Sequence, residues 1–311
     1  MASLFGILGA AAFLPAQVGE AEHDFRIRTT SELVLLDVAV ENSHGLRIPD
    51  LTKDNFRIFE DKRPQAIDYF QAGDVPVTIG LVVDQSGSMR PKRNEVLAAA
   101  RMFLDASNPE DQIFVVNFND RVAFGLPPDT NFTNDANRLN NAIAAVPAQG
   151  RTALNDALIK ALDHASAGPL RRKALLLISD GGDNASKHTE RDLLNSVEEV
   201  QATLYTIGVY SDDDPDRNPH LLRRIADISG GETYLPRPNS DQSLPKTLEH
   251  IAREIRSRYT LAYVPNRDTE TGGVRHIRVE AFDAKGNHYV VRTRREYRLP
   301  DLTQAARGDE K

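Results

Sequence analysis

What the chain lacks narrows its chemistry first. It contains no cysteine, which removes disulfide frameworks, cysteine zinc sites, iron–sulfur clusters and thiol nucleophiles in one step. Any metal must be held by oxygen or by the eight histidines. Those histidines, at positions 23, 44, 164, 188, 220, 250, 276 and 288, form no HxH or HxxxH pair, which argues against a zinc centre. No GxSxG elbow and no GxxxxGKS/T loop occurs, so serine hydrolases and P-loop NTPases are without their signatures. The apolar run Leu4 to Leu14 is eleven residues, too short for the roughly 20 that span a bilayer. Basic excess is missing as well: 38 Lys plus Arg stand against 45 Asp plus Glu, a net charge of −7. A field of that sign repels polyanions, so nucleic acid is not an expected partner.

What is present is an ordinary globular composition, 40% hydrophobic and 27% charged over 311 residues, enough for one large domain or two modest ones. Residues 1–25 read separately. Leu4 to Leu14, followed by Pro15-Ala16-Gln17, suits the hydrophobic core of a secretory signal, although no Lys or Arg precedes Arg26. Export to the periplasm or the medium is the expectation. The charge is uneven: residues 253–298 carry eleven Lys plus Arg against six Asp plus Glu, and we read this mildly basic flank as a solvated strand face.

The hydrophobic period divides the rest. From Glu32 to Gln71 it is two, with Val34, Leu36, Val38 and Val40 on one side, a β segment. From Val75 to about Ser257 apolar runs (Val77 to Val83, Ile113 to Phe118, Ala174 to Ile178, Leu204 to Val209) alternate with amphipathic stretches (Arg93 to Ala106, Asp135 to Val146, Ala153 to Ala165, Thr189 to Gln201, Pro219 to Ile228, Leu244 to Arg256). Runs of that kind are strands buried on both faces, so the expected core is α/β, a doubly wound, mostly parallel sheet. After Ser257 period two returns in three expected strands, Tyr259 to Val264, Arg275 to Phe282 and His288 to Tyr297. Each flank alone is too small for a stable sheet. The expected division is therefore residues 26–74 and 258–298 in one sandwich-like β module around an inserted domain, 75–257, with a disordered tail at 299–311.

One constellation carries chemistry. The run Thr78-Ile-Gly-Leu-Val-Val-Asp84-Gln-Ser86-Gly-Ser88 ends a buried strand in an acid and two hydroxyls, outside the carboxyl edge where open α/β folds place ligands. Gly150-Arg-Thr152 opens a helix with another hydroxyl, and Leu175 to Asp180 ends a second buried strand in a second acid. A carboxylate beside small oxygen donors suits a hard divalent cation such as Mg2+. Asp212-Asp213-Asp214-Pro-Asp216 lacks the glycine and terminal glutamate of an EF-hand loop and reads as a solvated acidic loop. Asp183 reads as a loop acid rather than a ligand.

Asp84-x-Ser86-x-Ser88 with Thr152 and Asp180 resembles the complete metal-ion-dependent adhesion site of von Willebrand factor type A domains. The flanking Leu51-Thr-Lys-Asp-Asn-Phe56 and Tyr259-x-Leu-x-Tyr263-x-Pro265 are similar to those of a related family of exported bacterial proteins, common in acidobacteria. The resemblance implies a Rossmann-like domain. It implies that Ser86 and Ser88 bind Mg2+ (or Mn2+) directly, that Thr152 does so when ligand is engaged, and that Asp84 and Asp180 act largely through water. It implies an open coordination position for an acidic side chain of a protein partner, and a terminal helix, here Leu244 to Arg256, that can slide when the site rearranges. Two other readings compete: a structural component with an incidental site, and a phosphatase-like hydrolase. The hydrolase needs a second acid where Ser86 stands, so its general acid is missing.

Overall fold

The computed structural model describes residues 33–210, 217–237, 240, 242–265 and 273–298. The leader at 1–25, the acidic run Asp212 to Asp216 and the tail at 299–311 lie outside the described residues. In chain order the strands and helices are β1 (Val34–Glu41), β2 (Phe56–Glu60), β3 (Arg63–Gln65), β4 (Tyr69–Gln71), β5 (Thr78–Asp84), α1 (Arg93–Ala106), β6 (Gln112–Phe118), β7 (Val122–Phe124), α2 (Ala136–Ala144), α3 (Leu154–Ser166), β8 (Lys173–Ser179), α4 (Glu190–Glu199), β9 (Thr203–Gly208), α5 (Pro219–Ser229), β10 (Thr233–Tyr234), α6 (Leu244–Arg256), β11 (Tyr259–Tyr263), β12 (Val274–Ala281), β13 (Val290–Arg292) and β14 (Glu296–Arg298).

The core is a six-stranded sheet in the order β10-β9-β8-β5-β6-β7, parallel except for β7. Helices flank it, with α1 packed on α6 and α2, and α3, α4 and α5 forming a second group. The class is α/β with a mostly parallel, doubly wound sheet. All seven residues of β5 are buried, which is why its sequence is continuously apolar and does not alternate. Gly80 at its centre is required by packing: a Cβ there would lie 2.4 Å from Leu175 and 2.5 Å from Phe114, its partners on β8 and β6. The helix ends follow local chemistry. Asp135 caps α2 through its side chain, Thr189 and Asp192 form a capping box on α4, and Gly230 closes α5 in the left-handed region at φ 77°.

Strands of the two flanks interleave. One sheet runs β13-β1-β11-β4, with β1 antiparallel to β11 from Val34↔Tyr263 to Val38↔Tyr259. The other runs β14-β12-β2-β3, with β12 antiparallel to β2. Between them lies a second apolar core that includes Leu36, Val38, Phe56, Ile58, Leu261, Tyr263 and Ile277. The expected single strand His288 to Tyr297 is instead two. Residues 290–292 pair with β1 in one sheet and 296–298 with β12 in the other. The break falls at Thr293 and Arg294, both buried. Arg294 turns away from the sheets to give its guanidinium to the carbonyls of Val197 and Val200 at the end of α4, capping orphan acceptors that a continuous strand would leave open.

Buried ion pairs bind this region to the central domain. Arg172 meets Asp37 of β1 at 2.9 Å and the carbonyl of Ile255 at 2.7 Å. Glu254 of α6, fully buried, accepts from Arg258 and Arg292 at 2.9 Å each, from Arg47 at 3.2 Å and from Tyr234 at 2.5 Å.

Candidate functional site

Strands β5 and β8 are neighbours in register, Val83 opposite Ile178, so their ends place Asp84 and Ser179 side by side at the carboxyl edge. Ser179 Oγ donates to Asp84 Oδ2 at 2.6 Å, and the other carboxylate oxygen accepts the backbone N–H of Ser86 at 2.8 Å. This two-residue Asp turn ends the strand and starts the 3-10 turn Gly87–Lys92. It also throws both serine hydroxyls to one side. Ser86 Oγ lies 3.0 Å from Ser88 Oγ, and Ser88 Oγ donates to Asp180 Oδ2 at 2.6 Å. Asp180 is held in turn by the N–H of Gly182 on Oδ1 at 2.9 Å. Gly181 makes the turn at φ 88°, where an added Cβ would sit 2.8 Å from the carbonyl oxygen of Asn218. Four of the five sequence-predicted residues, Asp84, Ser86, Ser88 and Asp180, thus form one hydrogen-bonded set.

Thr152 stands on the adjoining loop. That loop is tied to the serine turn by Gln149 N–H to the Gln85 carbonyl at 2.8 Å and Gly87 N–H to the Gly150 carbonyl at 3.1 Å. Asn184 fixes Thr152 through both backbone groups: its side-chain oxygen accepts the Thr152 N–H at 3.0 Å, and its own N–H reaches the Thr152 carbonyl at 2.9 Å. The Thr152 hydroxyl makes no hydrogen bond to the other four side chains among the described residues.

Several supporting roles were not legible in the sequence. Gln85 pegs the loops together, donating to Asn117 and to the Ile143 carbonyl and accepting from Arg93. Asp183 accepts the N–H of Asn155 in the first turn of α3 at 2.8 Å and the hydroxyl of Ser186 at 2.6 Å, so its work is at that helix start. Ser179 carries no signal beyond its place before Asp180. Its role follows only from the strand register.

The electrostatics are those of a buried, sparsely charged oxygen cluster. Asp84, Ser86 and Asp180 are at most 2% exposed. Burial pushes the Asp84 carboxyl up to about 6, the Ser179 donor opposes this, and the charge of Asp180 adds to it. Among the described residues no three His, Cys, Asp or Glu side chains cluster as a metal site. The set here is two carboxylates and hydroxyls, all hard oxygen donors, of the kind that suits Mg2+ or Mn2+ rather than a soft metal.

Residues 79–182 match the sequence model of the von Willebrand factor type A domain. That stretch is similar to a von Willebrand factor type A domain. The matched span holds Asp84, Ser86, Ser88, Thr152 and Asp180 and neither β flank. No curated protein matches the chain. Solved structures similar to it include a von Willebrand factor type A protein from Catenulispora acidiphila, at 15% identity over 79% of this chain and 72% of that one, TM-score 0.49. An aerotolerance-related membrane protein from Bacteroides fragilis aligns at 15% identity over 58% and 98%, TM-score 0.45. The manganese-loaded TRAP protein of Plasmodium vivax aligns at 16% identity over 78% and 99%, TM-score 0.43. The likeness to the type A domain rests on the sequence match over residues 79–182 and on the α/β fold described above.

Proposed function

We propose that this chain is an exported, non-enzymatic module that captures a protein partner through one divalent cation, Mg2+ or Mn2+, at Asp84, Ser86, Ser88, Thr152 and Asp180. The observation that carries the reading is the contiguous oxygen set Ser86–Ser88–Asp180, with hydroxyl and carboxylate contacts of 3.0 and 2.6 Å. In it Ser86 and Ser88 are the direct donors, Asp84 aims the serine turn, Asp180 holds Ser88, and Thr152 closes the site from its loop. A cation bound there supplies an electrophile that accepts an acidic side chain of the partner. Two carboxylates, of which Asp84 already accepts hydrogen bonds from the Ser86 N–H and the Ser179 hydroxyl, leave the ion short of anionic ligands, so a partner carboxylate is favoured. In this reading the type A domain spans 75–257, residues 26–74 with 258–298 form the β module that carries it, and Leu4 to Leu14 directs export. No helix among the described residues is long and apolar enough to cross a membrane.

A thermal-shift series with Mg2+, Mn2+, Ca2+ and chelator tests the reading. An ion that binds only the native state, at about a hundredfold over its Kd, adds about 2.7 kcal/mol of stability, roughly 5 °C for a chain of this size. The wild type is expected to show that rise and Asp84→Ala to lose it. No rise in the wild type leaves the domain a structural component and overturns the proposal.

A further inference from the structure

Helix α3 begins without a cap of its own. Its N-cap position is Ala153, whose methyl group accepts no hydrogen bond, yet the N–H groups of a first helical turn need partners. They find them on the loop after β8, 28 and 30 residues further along the chain. Asp183 accepts the Asn155 N–H at 2.8 Å, and Ser186 Oγ accepts the Asp156 N–H at 3.1 Å. The helix holds the loop in turn. The Asp156 carboxylate accepts the N–H of Lys187 at 3.1 Å and of His188 at 2.9 Å, and it lies 2.7 Å from Nδ1 of the His188 ring. Asn155 Nδ2 donates to the His188 carbonyl at 3.2 Å. Each segment thus satisfies the backbone of the other, a clasp that neither could form alone.

Thr152 stands where this clasp meets the candidate site. Its N–H goes to the Asn184 side chain at 3.0 Å, and its carbonyl accepts the N–H groups of Asn184 and Ala185 at 2.9 and 3.0 Å. All three bonds run to the clasped loop. The ties from the serine turn reach Gln149 and Gly150, and the Ala153 N–H goes to the Asn119 carbonyl at 2.8 Å. At its other end the same loop starts from Asp180, whose Oδ1 accepts the Gly182 N–H at 2.9 Å. One short stretch, 180–188, therefore holds Asp180 at its beginning and Thr152 along its length.

We infer that Asp183 and Asp156 are positioning residues for the cation: by clasping the loop to α3 they fix Thr152 relative to Asp180. The inference rests on the cation-capture reading above and adds that ion affinity depends on the clasp as well as on the five side chains, because a donor held in place before the ion arrives need not be ordered by it. The test is calorimetric titration of Mg2+ into the full chain, with amide hydrogen exchange of residues 152–156 followed in the metal-free protein. Asp183 is exposed, so replacing it leaves the apolar core untouched. Asp183→Ala is expected to speed exchange of that segment by about tenfold and to weaken Mg2+ by about tenfold. Asp183→Asn keeps an oxygen for the Asn155 N–H while dropping the charge, and is expected to stay within about threefold of the wild type. Asp156→Ala, which opens the clasp from the helix side, is expected to weaken Mg2+ as Asp183→Ala does. An equal loss in the Ala and Asn variants of Asp183 makes it a charge acting on the ion and overturns the positioning role. Unchanged Mg2+ affinity in Asp183→Ala overturns it too and leaves the cation reading standing. A wild type that takes up no Mg2+ overturns the cation reading instead. Exchange in the metal-free chain then decides the clasp by itself, and unchanged protection of 152–156 in Asp183→Ala refutes it.

Discussion

At the scale of single residues, the fold depends on places where no side chain fits. Gly231 follows α5 where the chain crosses β9. A Cβ there would lie 1.9 Å from the Leu204 carbonyl oxygen and 2.7 Å from its carbon, and backbone in a buried strand has nowhere to go. Gly231→Ala is therefore expected to lower unfolding free energy by about 2 kcal/mol or more, read by urea denaturation, and an unchanged midpoint would contradict that packing. The residues of the candidate site were legible because their chemistry is written in side-chain type and in their place at strand ends. Asp84, Ser86, Ser88 and Asp180 do come together. Ser179, Gln85 and Asn184 were not legible, because each acts through register or loop geometry that a single sequence does not display.

At the scale of elements, α6 shows what the period of the sequence does and does not reveal. Its stripe Leu244, Leu248, Ile251 and Ile255 is buried, none more than 2% exposed, as the spacing requires. Glu254, beside the stripe, is fully buried and anchors the helix. Burial alone would raise its carboxyl, but Arg258, Arg292 and Arg47 outweigh this and hold it at about 2. With the folded value below the ordinary 4.5, Glu254 contributes stability that is complete above about pH 4.5 and lost as pH falls towards 2, on the order of 3 kcal/mol. Glu254→Gln is expected to destabilise the protein at neutral pH by about 3–5 kcal/mol, because it leaves buried guanidinium groups uncompensated, and to flatten the acid limb between those pH values by up to one proton. An acid limb unchanged in the variant would contradict the assignment. The same clamp opposes a slide of α6, since movement along the sheet would draw Glu254 away from Arg292 and Arg47, which lie outside the helix. Element ends held closely for the helices, α1 and α6 above all, because periodicity is local. The split of the last expected strand into β13 and β14 was not legible, since it is decided by Arg294 reaching a helix end far away in sequence.

At the scale of the whole molecule, the central domain and the flanking sheets share buried charge. Arg172, 2% exposed, depends on Asp37 across that boundary. A chain truncated to residues 75–311 loses β1 to β4, which exposes Leu261, Tyr263, Ile277 and Val279 and opens the edges of β11 and β12. Aggregation is the expected outcome, followed by light scattering during refolding. A soluble, cooperatively unfolding 75–311 chain would contradict the dependence. Capture of a partner through a cation requires that the oxygen cluster at the carboxyl edge of the central sheet hold an ion. Isothermal titration of Mg2+ into the full chain measures this directly. One site per chain, abolished in both Asp84→Ala and Ser88→Ala while their folds persist by circular dichroism, is the predicted result. No saturable heat in the wild type, or equal affinity in the two variants, would contradict it.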